Sequence, residues 1–410
     1  MAKRVVVTGR GLVTPLGNGL PENVHSLREG KTGTVFMQEW ADQGLDTRVA
    51  GMSDREVQCP MFNVKNVRFM APNARMAAAA AYEAFVEAGL PPENLPDRRI
   101  AMINGCAGSS YETVYRNMST FERTRKLRSC SPFSVPKIMP SCAVANMSLL
   151  FGTTGESYDI SCACTSSALA IIAGVRLILA GEYDIVLAGG SEELSWAQAL
   201  GFCSMRALST HYNDCPGSAS RPFDKGRDGF VLADGAGMVV LESEEHALRR
   251  GALPKALLSG YYSNSNAIDM VMPNADSTAE VMTRAIESAG LRKEDISYVN
   301  THGTATPVGD PIEMAGIHRV FGEHKVAVNS TKSMTGHMIG AAGAVEAIFT
   351  SLMIENSFIS RSANLENLEE GLEWADLVRE TRTGVEMEHA ISNSFGFGGS
   401  NATLVISKYK

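Results

Sequence analysis

The 410-residue sequence has no Cys-x-x-Cys pair, no apolar run of the roughly 18 residues that cross a bilayer, and no low-complexity linker. The first absence excludes a zinc ribbon, and eight cysteines scattered from Cys59 to Cys215 do not make the frame of a small disulfide-bonded domain. The second predicts a chain outside the membrane, and with cysteines of this kind a reducing, cytoplasmic location. The third predicts one compact body rather than two tethered ones. Positive charge is also short: the net charge is −8, which leaves the chain as a whole no electrostatic case for nucleic acid. The opening strand, Arg4–Thr8, runs into Gly9-Arg10-Gly11 without a Rossmann fingerprint. What is present is 44% hydrophobic and 20% charged residues, the profile of an ordered globular chain, with 20 methionines suited to adaptable apolar cavities.

Residues 73–89 read as a helix of strong formers stopped at Gly89, followed by a strand over Arg99–Ile103. Residues 279–290 repeat the arrangement before a strand at Ile296–Val299: Ala289-Gly290-Leu291 matches Ala88-Gly89-Leu90 at a separation of 201 residues, about half the chain. Tyr158–Ser161 before a small-residue helix, and Val326–Ser330 before a helix over Gly340–Met353, give two more strand-turn-helix units. The pattern predicts two duplicated α/β halves, 1–250 and 251–410, with parallel strand pairing and small-residue helices buried between sheets. Glu242–Arg250 reads as a charged surface helix at the joint.

Three strand-to-helix corners carry chemistry. Ser161-Cys162-Ala163-Cys164-Thr165-Ser166 opens a helix, where unpaired N–H groups and the helix dipole favour a thiolate, although most isolated cysteines are simply small buried hydrophobes. Asn300-Thr-His302-Gly-Thr304-Ala-Thr306 sets a histidine among small and hydroxyl residues at a strand end. Asn329-Ser-Thr-Lys332-Ser-Met-Thr-Gly-His337 supplies a lysine and a second histidine. Either histidine alone would more often be structural than catalytic. A fourth corner, Ser392-Asn393-Ser394-Phe395-Gly396-Phe397-Gly398-Gly399, is a glycine-rich turn whose amides can approach an oxyanion.

Together these motifs resemble the β-ketoacyl-[acyl carrier protein] synthases, thiolase-fold condensing enzymes, along the whole chain; Ala207–Asp214 and Arg227-Asp-Gly-Phe230 look most like the synthase I branch, with synthase II the neighbour. Where family members commonly carry Ser-Ala-Cys-Ala-Thr, this chain has Cys162-Ala163-Cys164-Thr165-Ser166, and Cys164 keeps the nucleophile's position before the hydroxyl pair. The resemblance implies a layered αβαβα fold and a decarboxylative condensation in fatty acid elongation. Cys164 would carry the acyl chain, His302 and His337 would bind the enolate oxygen, and Lys332, paired with Glu313, would support His337. It also implies an oxyanion hole at Cys164 and Phe397, with Phe397 and Phe395 at the gate, and pantetheine bound by Thr304 and Thr306. A monovalent cation near Asn300, Glu346, Ser392 and Asn393 is a further implication.

The acidic acyl carrier protein is the implied partner, docking on Lys65, Arg68, Arg125 and Arg128, although a basic run is usually only a solvated face. The resemblance implies a homodimer, and no protein-bound cofactor, because phosphopantetheine travels on the partner. Three other readings compete. A ketosynthase of a specialised polyene or polyketide pathway would be reshaped at Met205, Cys106, Gly201 and Phe202. A cysteine hydrolase using Cys164 and His302 leaves Lys332 and the second histidine without a purpose. A non-catalytic chain-length subunit conflicts with the retained Cys164.

Overall fold

The computed structural model describes residues 3–410; Met1 and Ala2 of the opening run lie outside them. Ten strands build the frame: β1 (Val5–Thr14), β2 (Ala101–Gly105), β3 (Ser157–Ile160), β4 (Ile185–Glu192), β5 (Gly235–Ser243), β6 (Ala256–Ser265), β7 (Tyr298–Asn300), β8 (Ala327–Asn329), β9 (His389–Phe395) and β10 (Ser400–Ser407). Their order is β8-β7-β9-β10-β6-β1-β5-β4-β2-β3, with Asp376–Leu377 added beyond β8. The halves repeat strand for strand. In one, β1 pairs antiparallel with β5, β5 antiparallel with β4, and β4, β2 and β3 run parallel; in the other, β6, β10, β9, β7 and β8 follow the same scheme. Between the two sets of strands, β1 pairs with β6 through Val6–Leu257 and Val7–Ala256. The expected parallel pairing therefore holds for the outer three strands of each half, while the first and last strands are antiparallel. Hydrophobic periodicity reports which face of a strand is buried, not its direction.

Six helices make three layers around these strands: α1 (Pro72–Glu87) and α2 (Cys142–Phe151) on one face, α4 (Ala275–Ser288) and α5 (Gly309–Phe321) on the other, and α3 (Ser166–Ala180) with α6 (Ala342–Glu355) between the halves. This is the expected αβαβα sandwich. Every residue of α6 from Ala342 to Ile354 is buried, and a Cβ at Gly343 would stand 2.9 Å from the Cβ of Ala168, so the two central helices need small residues to approach. The repeat extends to the caps. Gly89 and Gly290 adopt φ of 69° and 70°, and Leu90 and Leu291 each return an N–H to a carbonyl five residues back, at Phe85 and Ile286.

Some boundaries shift for local reasons. β2 begins at Ala101, because the Arg99 N–H donates to the Asp97 carboxylate in a turn, and β7 begins at Tyr298, after the 3₁₀ turn Lys293–Asp295. The helix at the joint is Glu244–Arg249, capped by Ser243. Glu242 is no surface charge; it is sealed at the end of β5, where it accepts a hydrogen bond from Thr8 and pairs with Arg250 and His246. The expectation that no apolar stretch reaches membrane length also needs correction. The helical stretch Ala163–Ala180 is long and apolar enough by length and composition, but it packs against β2 and β4 as a core helix.

Candidate active site

The corner between β3 and α3 is tightly turned. Ala163 takes a positive φ of 48°, and the Cys162 carbonyl accepts from both the Thr165 N–H and its hydroxyl, which sets Cys164 just before the helix. Cys164 is partly buried and opens on a cavity of about 820 Å³. Its Sγ lies 3.1 Å from His337 Nε2. His337 is fixed by its own N–H on the Val231 carbonyl at 2.7 Å and by edge contacts with the Phe230 and His302 rings, at 5.6 and 5.1 Å between centroids. His302 in turn lies under Phe395 at 5.8 Å. The sulfur and one ring nitrogen of each histidine all fall within 4.8 Å of one another.

Burial sets the proton balance here. Desolvation pushes the Cys164 thiol up to about 12, with Lys332 and the Phe397 N–H pulling against it. The dipole argument for a ready thiolate is thus overruled by depth, and Cys164 rests as a thiol in contact with His337 Nε2. Burial first, and Lys332 second, hold both imidazoles well below their ordinary value, so both are neutral at physiological pH. Neither Nδ1 has a hydrogen-bond partner among the described residues. Packing therefore orients the rings, while no second partner locks either tautomer.

Lys332 starts the short helix Lys332–Thr335 and is 1% exposed. It pairs with Glu346 on α6, not with Glu313 as expected. Glu313 on α5 is instead the brace of the His302 corner: its two oxygens accept the N–H groups of His302 and Gly303 at 2.8 and 2.7 Å, and Asn393 donates to it at 3.3 Å. Burial raises both carboxyls to about 7.

Phe397 begins a turn in which Gly398 and Gly399 hold φ of 83° and 76°, conformations that suit glycine. Its N–H is one of the groups that pull the Cys164 thiol down against burial. Phe397 and Phe395 both line the cavity, the first exposed and the second buried. Thr304 and Thr306 line its other end, where the Thr306 hydroxyl also caps Gly309 at 3.0 Å. Met205, Gly201 and Phe202 line the cavity as well, but Cys106 does not; its buried thiol donates to the Gly108 carbonyl.

Asn300, Glu346, Ser392 and Asn393 are all buried; Asn300 and Asn393 each accept from a threonine hydroxyl, Thr331 and Thr403, and Glu346 Oε2 has no hydrogen-bond partner among the described residues. Lys65, Arg68, Arg125 and Arg128 are all exposed. Arg68 stacks on Phe133, next to the helix Ser134–Ile138, which packs against the helix Tyr111–Thr124 that Arg125 caps.

Sequence reasoning missed a second brace. Glu192, at the end of β4, accepts the N–H groups of Ala107 and Gly340 at 2.9 and 3.0 Å, which fixes two segments beside the cavity. A charge ending a wholly buried strand was the available signal. The adjacent Glu193, 3% exposed, bonds Ser110 through one oxygen and has no partner for the other. Burial raises it from 4.5 to about 7. The folded chain thus holds this proton more tightly than the unfolded chain, and the stability this contributes is full below 4.5 and lost as pH rises through 7. Glu193→Gln is neutral throughout, so urea unfolding should show the variant gaining up to about 3 kcal/mol on the parent protein between pH 4.5 and 8. An identical difference at both pH values would contradict the assignment.

A layered duplicated fold with a Cys-His-His cluster at the corners of both halves defines a thiolase-like condensing enzyme. The chain matches the family model for the β-ketoacyl synthase N-terminal domain over residues 2–247 and the one for its C-terminal domain over residues 255–366. It is 43% identical over 409 residues to the 3-oxoacyl-[acyl-carrier-protein] synthase 1 of Escherichia coli, covering 100% of both chains. Among solved structures it is similar to a β-ketoacyl synthase from Burkholderia phymatum, with 34% identity and a TM-score of 0.93 over the whole of both chains. A type II polyketide ketosynthase, solved with its acyl-carrier protein and a hexaketide, is 27% identical with a TM-score of 0.91, again over 100% of both. The chain belongs to the β-ketoacyl synthase family, the acyltransferase-type condensing enzymes.

Proposed function

We propose that the protein condenses an acyl group held on Cys164 with malonyl-[acyl carrier protein], releasing CO₂ and forming 3-oxoacyl-[acyl carrier protein] in fatty acid elongation. The observation that carries this reading is the contact of Cys164 Sγ with His337 Nε2 beside a second neutral imidazole, since a hydrolase needs only one. Cys164 attacks the acyl thioester, its proton passes by His337 Nε2 to the departing pantetheine sulfur, and the acyl–Sγ bond replaces the bond to pantetheine. Malonyl thioester then loses CO₂. The enolate oxygen takes hydrogen bonds from Nε2–H of His302 and His337; with no Nδ1 partner on either ring, His337 is free to change tautomer and carry its proton on Nε2 once acylation is complete. The enolate carbon attacks the acyl carbonyl, the N–H groups of Cys164 and Phe397 hold the oxyanion, and the Cys164 sulfur leaves as a thiolate that takes a proton from solvent to restore the resting thiol. Burial first, and the field of Lys332 second, keep both imidazoles neutral. Thr304 and Thr306 hold the pantetheine arm, Phe395 and Phe397 gate the cavity, and no protein-bound cofactor takes part.

The donor is carried by acyl carrier protein, docked on Lys65, Arg68, Arg125 and Arg128. Relatives named for that carrier, and a ketosynthase solved with one, support the carrier as partner, and the exposure of all four basic residues supports the docking surface. Residues 1–250 supply the nucleophile and 251–410 the histidines and lysine. A homodimer is supported by the helix Tyr111–Thr124, which buries none of its residues and exposes Tyr111, Tyr115, Met118 and Phe121 at helical spacing, an apolar stripe that needs a cover. We place the protein in the cytoplasm, where its thiols stay reduced.

The test is to supply acyl and malonyl carrier proteins and identify products by mass. A 3-oxoacyl chain lengthened by one malonyl-derived unit is expected, and free acid alone would contradict the reading. Docking has its own test. Arg125→Glu with Arg128→Glu should raise the apparent KM for acyl carrier protein about tenfold or more and leave turnover of small free thioesters unchanged; equal effects on both substrates would sink the docking assignment.

A further inference from the structure

One end of the cavity holds a polar group that the protein does not satisfy. The helix Trp196–Ser204 starts at Ser195, whose hydroxyl accepts the Gln198 N–H at 3.2 Å. That contact engages only the Gln198 backbone. The residue is 9% exposed and lines the cavity, and its carboxamide makes no hydrogen bond among the described residues. Its polar atoms are not among the sealed, partnerless atoms of the core, so they stay accessible on a residue that lines the cavity.

The surroundings are apolar. Ala199, Phe202, Phe230 and Ile339 form one cluster with Ala107 and Cys164, and no residue of 266–273 or 302–310, the segments lining the end with Thr304 and Thr306, belongs to it. Depth follows from the rings. Phe202 packs edge-on against Phe230 at 5.2 Å, and Phe230 against His337 at 5.6 Å, which puts Phe202 one ring removed from His337. Gln198 lies four residues earlier on the same helix face, about 6 Å further along its axis.

We propose that Gln198 determines acyl-chain specificity: its carboxamide opposes saturated chains long enough to lie against that turn and favours a chain that carries a hydroxyl there. The inference rests on reading this cavity as the acyl site. A short chain ends near Phe202 and leaves the carboxamide its water. A longer saturated chain displaces that water and offers no hydrogen bond in return, so a buried amide is left unsatisfied. A hydroxyl restores the balance, because it can donate to Oε1 or accept from Nε2.

The experiment follows acylation of Cys164 by intact mass, with acyl carrier protein loaded with saturated chains of graded length and with terminally hydroxylated chains of matched length. In the parent protein the rate should drop roughly fivefold to a hundredfold at the first saturated chain that reaches the turn, and the hydroxylated chain of that length should recover most of it. Gln198→Met keeps a similar length and removes the polar atoms; in it the long-to-short rate ratio should rise and the hydroxyl advantage should vanish. The proposal is overturned if the parent protein accepts saturated and hydroxylated chains equally at every length, or if both proteins share one profile. The hydroxyl comparison needs only the parent protein, so it decides the matter however the variant folds. Absence of any acyl-Cys164 from any chain would overturn the functional reading itself, and this one with it.

Discussion

Cys164→Ala is expected to abolish the acyl-enzyme and to lower condensation by at least about a thousandfold, whereas Cys162→Ser should still acylate. The two thiols differ in what they face. Cys164 lines the cavity with its sulfur against His337 Nε2 at 3.1 Å. Cys162 does not line it, and contributes main chain to the corner: its N–H donates to the Ser166 hydroxyl at 2.9 Å and its carbonyl accepts from Thr165. Intact mass after exposure to an acyl thioester checks both variants. An adduct that survives in Cys164→Ala and disappears in Cys162→Ser would overturn the nucleophile assignment.

Lys332→Met should destabilise the fold by about 3–5 kcal/mol, because it strands Glu346 as an unpaired acid in the central layer. Both partners are 1% exposed, and Glu346 Oε2 already lacks a hydrogen bond. Replacing both, as Lys332→Met with Glu346→Leu, should recover much of the loss, since the pair's desolvation goes with it. Urea unfolding of the two single variants and the double variant reads this coupling directly. Strictly additive losses would show that Lys332 and Glu346 do not depend on each other.

The candidate cluster was legible because each member sits at a strand-to-helix corner inside a short local motif: Cys164 after β3, His302 after β7, and Lys332 and His337 after β8. What was not legible depends on distant packing. Glu313 and Glu346 lie on separate helices, and nothing in the motif around Lys332 ranks one acid over the other as its partner. The helix-terminus argument for a thiolate at Cys164 is sound locally, but the depth of the sulfur is a tertiary property and outweighs it. Glu242 was read as surface because it begins a charged run, yet Thr8, His246 and Arg250 bury it at the end of β5. The duplication was visible in the matched caps at Gly89 and Gly290. The antiparallel first and last strands of each half were not, because strand direction leaves no trace in the alternation of side chains.

The central claim is that two neutral histidines serve a decarboxylative condensation on Cys164, and carbon stoichiometry tests it most directly. Acyl-Cys164 is prepared with one equivalent of acyl thioester, then given malonyl carrier protein labelled in its free carboxyl, and labelled CO₂, 3-oxoacyl product and remaining adduct are measured together. The account predicts one CO₂ and one 3-oxoacyl chain for each adduct consumed. Loss of the adduct as free acid, with no labelled CO₂ released, would contradict it.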